Sequence, residues 1–368
     1  MRIDREEIHE NRILCSNTMQ ITLDDDFNVP DSRPDIDMIV KERGNVHIDS
    51  VKVSADRAEV SGNMEFALLY TGNNAMQGRL VPVKMSGSMN INEIINLSQD
   101  CDNTSVSCQA KLEDITVKTI NSRKISVKAI ISLTVVCEEI QDTPIGCGLL
   151  DTEENDRLQL KSTDVEYSQL AVSLRDNLRI RESFALPGSK PEAAELLWDD
   201  VDVRSFNTRL TDDGMDISGE LSVFVMYSAV EDISMPQWYE TTLSFSGKLD
   251  VNGCTQDMIS YVKYNVLSSN IEVKPDYDGE NRDMQVELVL DMDVKVYEER
   301  EKTVLTDIYS PIKNVINTTK SSIFRKLLVR NNSKCRASDR IKTGEYTNIL
   351  QICNCTGTAQ IDDITVEE

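Results

Sequence analysis

Two histidines, nine cysteines and 63 carboxylates are the residues in this 368-residue sequence whose types could do chemistry. His9 and His47 are too few for a histidine metal cage, and no serine or cysteine nucleophile has a recognisable base partner. His47 lies between Val46 and Ile48 on the polar side of an alternating stretch, the place of an exposed strand residue. The cysteines fall at 15, 101, 108, 137, 147, 254, 335, 353 and 355, with no Cys-x-x-Cys. The one close pair, Cys353-x-Cys355, has the spacing of one strand face rather than of a zinc knuckle. An odd count suits free thiols in a reducing compartment. The N-terminal residues are charged, with no apolar signal region, and no run approaches 18 apolar residues. A cytoplasmic chain with no membrane insertion is expected, in which the Asn-x-Ser/Thr sequons at Asn103 and Asn317 mean nothing.

Other groups are equally weak as sites. Asp24-Asp25-Asp26 could suggest calcium, but consecutive acids on an extended segment point to opposite faces, so an acidic turn is expected instead. A glycosidase needs two carboxylates across a cleft, and nothing selects a pair among 63. Trp198 and Trp238 could form a sugar-stacking platform; packing against a sheet is the plainer reading. No glycine-rich phosphate loop is present. The sequence therefore predicts no catalytic, cofactor-binding or metal-binding residue, and an enzyme is the least favoured class. The formal charge of −24 excludes a nucleic-acid binder acting through its whole surface. One stretch runs against that charge: Lys320, Arg325, Lys326, Arg330, Lys334, Arg336, Arg340 and Lys342 face only Asp339 and Glu345. This basic segment could bind an acidic partner, a second copy of the chain or the acidic units beside it.

The elements that would position these residues come from an internal repeat. Phe27, Pro30, Ser32 and Pro34 recur as Phe184, Pro187, Ser189 and Pro191, at a constant offset of 157. The same offset relates Val60, Gly62, Met64, Phe66, Leu68 and Tyr70 to Ile217, Gly219, Leu221, Val223, Val225 and Tyr227. Ser86-Gly87 matches Ser246-Gly247 at 160, and the alternating run 125–135 matches 284–294 at 159. Every second residue is apolar, the period of a strand with one buried face. The sequence predicts a mainly β chain of tandem sandwich- or barrel-like domains at 1–140 and 165–300, with linkers at 141–164 and 301–320. Residues 321–368 hold the basic segment and the start of a truncated third unit, in which 349–361 echo 39–48. After Pro34 and Pro191, proline, acids and grouped apolar residues predict one short helix per unit, with Ser32 and Ser189 as N-cap or turn residues.

The block Phe-x-x-Pro-x-Ser-[Arg/Lys]-Pro-[Asp/Glu], with the strands, Ser-Gly and closing tyrosine that follow, resembles the SPOCS domain of SipL-type spore-coat morphogenetic proteins from endospore-forming Firmicutes. The first unit is close to that pattern. The second departs from it at Gly188 and at Ala193-Ala194. Val304-Leu-Thr-Asp-Ile-Tyr-Ser-Pro is similar to the family's connection between successive domains. The resemblance implies a non-enzymatic assembly protein on the mother-cell side of the forespore surface. Its partners would be other spore-coat or morphogenetic proteins, or further copies of itself, and no catalytic residues carry over. SipL-type proteins typically end in a LysM domain, which is not visible here. The rival reading is a carbohydrate-binding β-module for cortex or wall glycan, against which stands an aromatic content of 5%.

Overall fold

Strict alternation over long runs builds twelve strands, seen in a computed structural model that describes residues 2–74, 79–102, 104–150, 157–312, 314–328, 338–340, 352–355 and 357. The first six are β1 (Arg2–Asn28), β2 (Ile36–Ser54), β3 (Arg57–Asn74), β4 (Arg79–Asn96), β5 (Ser105–Asn121) and β6 (Lys124–Leu150). The second six are β7 (Gln159–Ala185), β8 (Ala193–Thr211), β9 (Gly214–Ala229), β10 (Pro236–Asp250), β11 (Ile259–Pro275) and β12 (Asn281–Tyr309). All pairings are antiparallel, in four three-stranded sheets ordered β1-β6-β5, β2-β3-β4, β11-β12-β7 and β10-β9-β8. The two sets of six have the same internal order, so the repeat read in the sequence is a repeat of topology.

Within each set the two sheets share one aliphatic core. Its spine is the central strand of each sheet. On β6, Ile125, Val127, Ala129, Ile131, Leu133, Val135 and Cys137 are sealed from solvent, as are Met284 through Val296 at every second position of β12. Fully burying a side chain of this size contributes about 1.5–3 kcal/mol, so these rows hold each sandwich closed. On β3 and β9, Gly62 and Gly219 interrupt the row. A Cβ on either would lie 2.2 Å from the His47 carbonyl oxygen or 2.1 Å from that of Ser205. Irregularities between Ile48 and Ser50 and between Val203 and Ser205 bring those carbonyls close, and glycine makes room for them.

No helix occurs among the described residues, which corrects the expected short helix in each unit. The residues after Pro34 and Pro191 begin β2 and β8. Register shifts fall between Ile36/Met38 and Ile39/Lys41, and at the equivalent Ala193/Glu195 and Leu196/Trp198. Each extra residue displaces the two-residue period, so inward positions come three apart and imitate a helix. The expected linkers also carry strand. Residues 141–150 complete β6 against the start of β1, 159–164 begin β7, and 301–309 complete β12. The acidic turn expected at Asp24–Asp26 is part of β1, where Asp26 meets Lys124 at 2.8 Å.

Candidate functional site

The repeated motif forms the crossing from one sheet to the other. After β1 the chain turns, with the Arg33 N–H donating to the Pro30 carbonyl at 2.9 Å, and enters β2 in the opposite sheet. The Tyr70 hydroxyl, from β3, donates to the Pro34 carbonyl at 3.0 Å. Arg123, from the β5–β6 turn, donates to the carbonyls of Arg33, Val29 and Pro30 at 2.7, 3.0 and 3.0 Å. Phe27 meets Phe66 edge-on at 4.6 Å beneath the turn. The second unit repeats the turn, the tyrosine and the arginine, with one arginine contact in place of three and a different aromatic partner for its phenylalanine. Lys190 N–H donates to Pro187 at 2.8 Å, Tyr227 to Pro191 at 3.1 Å, Arg282 to Lys190 at 2.8 Å, and Phe184 lies 5.8 Å from Tyr239. Burial raises the Tyr70 and Tyr227 hydroxyls above the ordinary tyrosine value, so both stay protonated as donors. Phe27, Pro30, Pro34, Phe184, Pro187 and Pro191 thus latch the two sheets together. Ser32 and Ser189 stand in turns, with no helix to cap.

A second group joins the units. Asp199 and Asp200 on β8 are nearly buried. Asp200 meets Arg43 at 2.9 Å and Lys41 at 3.4 Å; Asp199 meets Lys84 at 2.9 Å and Arg43 at 3.4 Å. Lys41 and Arg43 also lie over the Trp198 ring, at 5.0 and 4.9 Å, and its indole N–H donates to Asp200 at 3.2 Å. Beneath the charges, Ala67 and Leu69 of β3 pack on Leu197, Trp198, Phe224, Met226 and Trp238. Further along the seam Lys295 and Glu138, both largely buried, meet at 2.6 Å. Ile8 and Ile145 pack with Tyr167, Val165 and Val304. Desolvated, multiply bonded pairs of this kind fix one arrangement of two surfaces. Of these seam residues the sequence singles out only Trp198 and Trp238, and as a sugar platform or sheet packing rather than as a contact between units. The available signal was the loss of alternation at Ala67–Tyr70 and Val223–Tyr227, where both strand faces are apolar.

The basic segment is divided. Arg330, Lys334, Arg336 and Lys342 lie outside the described residues, and Lys320 and Arg340 are exposed. Arg325 and Lys326 sit on the free edge of β7. The Ser168 N–H donates to the Arg325 carbonyl at 2.8 Å, the Leu327 N–H to the Ser168 hydroxyl at 3.0 Å, and Lys326 to Glu166. That contact raises the Lys326 ammonium above the usual lysine value. Phe324 stacks obliquely on Tyr167 at 6.1 Å.

The remaining candidates stay apart. His9 pairs with Asp142 at 2.6 Å and His47 with Asp49 at 3.3 Å. Trp198 is 1% exposed and offers no sugar platform. A cleft of 460 Å³ between the units is lined by β2, β5 and polar residues of the second unit, including Arg175, Lys263, Asp291 and Asp293. The family model described as SipL, SPOCS domain matches residues 35–136 and 192–274, half of the chain. The two segments start at repeat-equivalent positions. No curated protein and no solved structure matches the chain.

Proposed function

We infer the function from one premise: the chain belongs to the SipL, SPOCS domain family. On that premise it is a sporulation-related protein whose role is structural rather than enzymatic. It helps assemble the spore coat at the forespore surface by binding other coat or morphogenetic proteins through its sandwich faces and strand edges. The observation that supports this reading is the seating of residues 324–327 on β7. There an extended segment uses a backbone hydrogen bond, an aromatic contact and an ion pair to occupy a free sheet edge. Strand-edge recognition draws its affinity from the main chain and its selectivity from the side chains beside it. β4 and β10 are likewise edge strands of their sheets.

The test is genetic and biochemical. Spores lacking the gene should show detached or misplaced coat layers by electron microscopy. Crosslinking in sporulating cells should join the chain to coat proteins through β4 or β10. A normally layered coat in the deletion strain refutes the assignment.

A further inference from the structure

The core of the first unit ends in three thiols. Cys15, Cys101 and Cys137 are 5, 1 and 0% exposed, and their sulfur atoms all lie within 4.8 Å of one another. The Cys15 and Cys101 sulfurs are 3.3 Å apart. Three separate parts of the chain supply them. The register shift between Ile13 and Cys15 sets Cys15 of β1 directly opposite Cys137 of β6. Cys101 comes from the loop after β4, held by its N–H on the Ala55 carbonyl at 3.0 Å and by the Thr104 hydroxyl on its own carbonyl at 2.8 Å.

The second unit builds the same corner with a single thiol. Val172 stands at the offset of 157 from Cys15, pairs across the same kind of register shift with Val296, and Val296 is the equivalent of Cys137. The loop after β10 contributes Cys254, whose thiol donates to the carbonyls of Thr211 and Gly214 at 3.2 and 3.4 Å. Two valines and one carbonyl-bonded thiol therefore close this end of the sandwich. Packing alone does not call for three converging sulfurs.

We propose that Cys15, Cys101 and Cys137 form a binding site for a soft monovalent metal ion, Cu(I). Thiolate sulfur selects soft cations, and Cu(I) is satisfied by two or three such ligands. Zinc takes a fourth protein ligand or an open water position. Among the described residues no histidine, carboxylate or further cysteine joins the group, and its burial leaves no open side. Each thiol that binds as a thiolate releases one proton to solvent, and Cu(I) undergoes no change of oxidation state. Burial pushes the Cys101 thiol up to about 12 and raises that of Cys137.

The experiment uses the full chain carrying Cys335→Ser, Cys353→Ser and Cys355→Ser, which removes the downstream cysteines as competing ligands. It is titrated anaerobically with Cu(I) against a chromogenic Cu(I) chelator. One ion per chain should be taken up. X-ray absorption should show a shell of sulfur only. Adding Cys101→Ser, or Cys15→Val, which copies the second unit, should weaken uptake on the order of 100-fold with the far-ultraviolet strand signal intact. Cys108→Ser should change nothing. Failure to compete with the chelator, uptake unchanged in both variants, a shell containing nitrogen or oxygen, or a Cys15–Cys101 disulfide in the anaerobic protein would each overturn the proposal.

Discussion

Replacing Asp200 by alanine separates the stability of the seam from that of the sandwiches. The Asp200 side chain is 12% exposed and accepts from Arg43 at 2.9 Å, Lys41 at 3.4 Å, the Trp198 indole at 3.2 Å and Asn354 at 2.5 Å. Removing it leaves an indole N–H without its acceptor in a ring that is 1% exposed, which costs about 1–3 kcal/mol. It also leaves two cations facing a surface that has lost one of its two charges. Breaking a buried pair costs about 3–5 kcal/mol, but Lys41 and Arg43 are 32 and 37% exposed and partly recover their hydration. A total of about 2–4 kcal/mol follows. Asp200 lies outside the core of the second sandwich, so the loss falls on docking. In urea, a single unfolding transition should split into two, and small-angle scattering should show a more extended chain before either sandwich melts. Asp216→Ala is the control: its partner Lys248 is 3.5 Å away and both side chains are exposed, so the change should stay below about 1 kcal/mol and shrink with salt. An Asp200→Ala protein that keeps one transition and loses no more than the control refutes the reasoning.

Tyr70→Phe and Tyr227→Phe should each cost about 1 kcal/mol, equal within a few tenths, because each removes one hydroxyl from one proline carbonyl. A cost near zero at either position in urea titrations argues against a shared latch. Gly219→Ala sets a Cβ 2.1 Å from the Ser205 carbonyl and should destabilise by about 1–3 kcal/mol or more, whereas Gly188→Ala, with open space around it, should be close to neutral. Stability should fall at alkaline pH. Burial pushes the Cys108 and Cys101 thiols to about 11 and about 12 from an ordinary 9.0. Above pH 9 the unfolded chain loses thiol protons that the folded chain keeps, so stability present below pH 9 is lost as pH rises through 11 to 12. The raised Tyr70 and Tyr227 hydroxyls extend the same loss. Urea midpoints that hold steady across this range count against the burial argument.

The sandwich strands were legible because alternation survives for a dozen residues on β6 and β12, and a constant offset shows the pattern twice. The starts of β2 and β8 were not, because two shifts in close succession turn a period of two into a spacing of three. The seam hid for a different reason. Phe224 and Met226 read as a continuation of a buried strand, and only a second surface explains why both faces are apolar. The linkers were misread because turn residues such as Pro144, Gly146 and Gly148 can sit in a strand extension, where Gly146 pairs with Arg5 across a shift and Gly148 with Asp4. The three thiols come from positions 15, 101 and 137, and no local pattern brings such distant residues together.

The two units meet through equivalent faces, and this explains the charges at the seam. Lys41 and Trp198 are related by the repeat offset, as are Arg43 and Asp200. Lys41 contacts Asp200 and Arg43 contacts Trp198, so each contact is the repeat image of the other. Ile8 and Val165 are likewise equivalent, Ile145 and Val304 also, and all four meet in one cluster. Such reciprocity is the geometry of a two-fold dimer carried within one chain. A true dimer of first units would bring Lys41 and Arg43 against their own copies, and a dimer of second units would bury Asp200 near a second Asp200. Both juxtapositions repel. Duplication within one chain lets one copy become basic and the other acidic, so the same face that would reject a like unit specifies the unlike one.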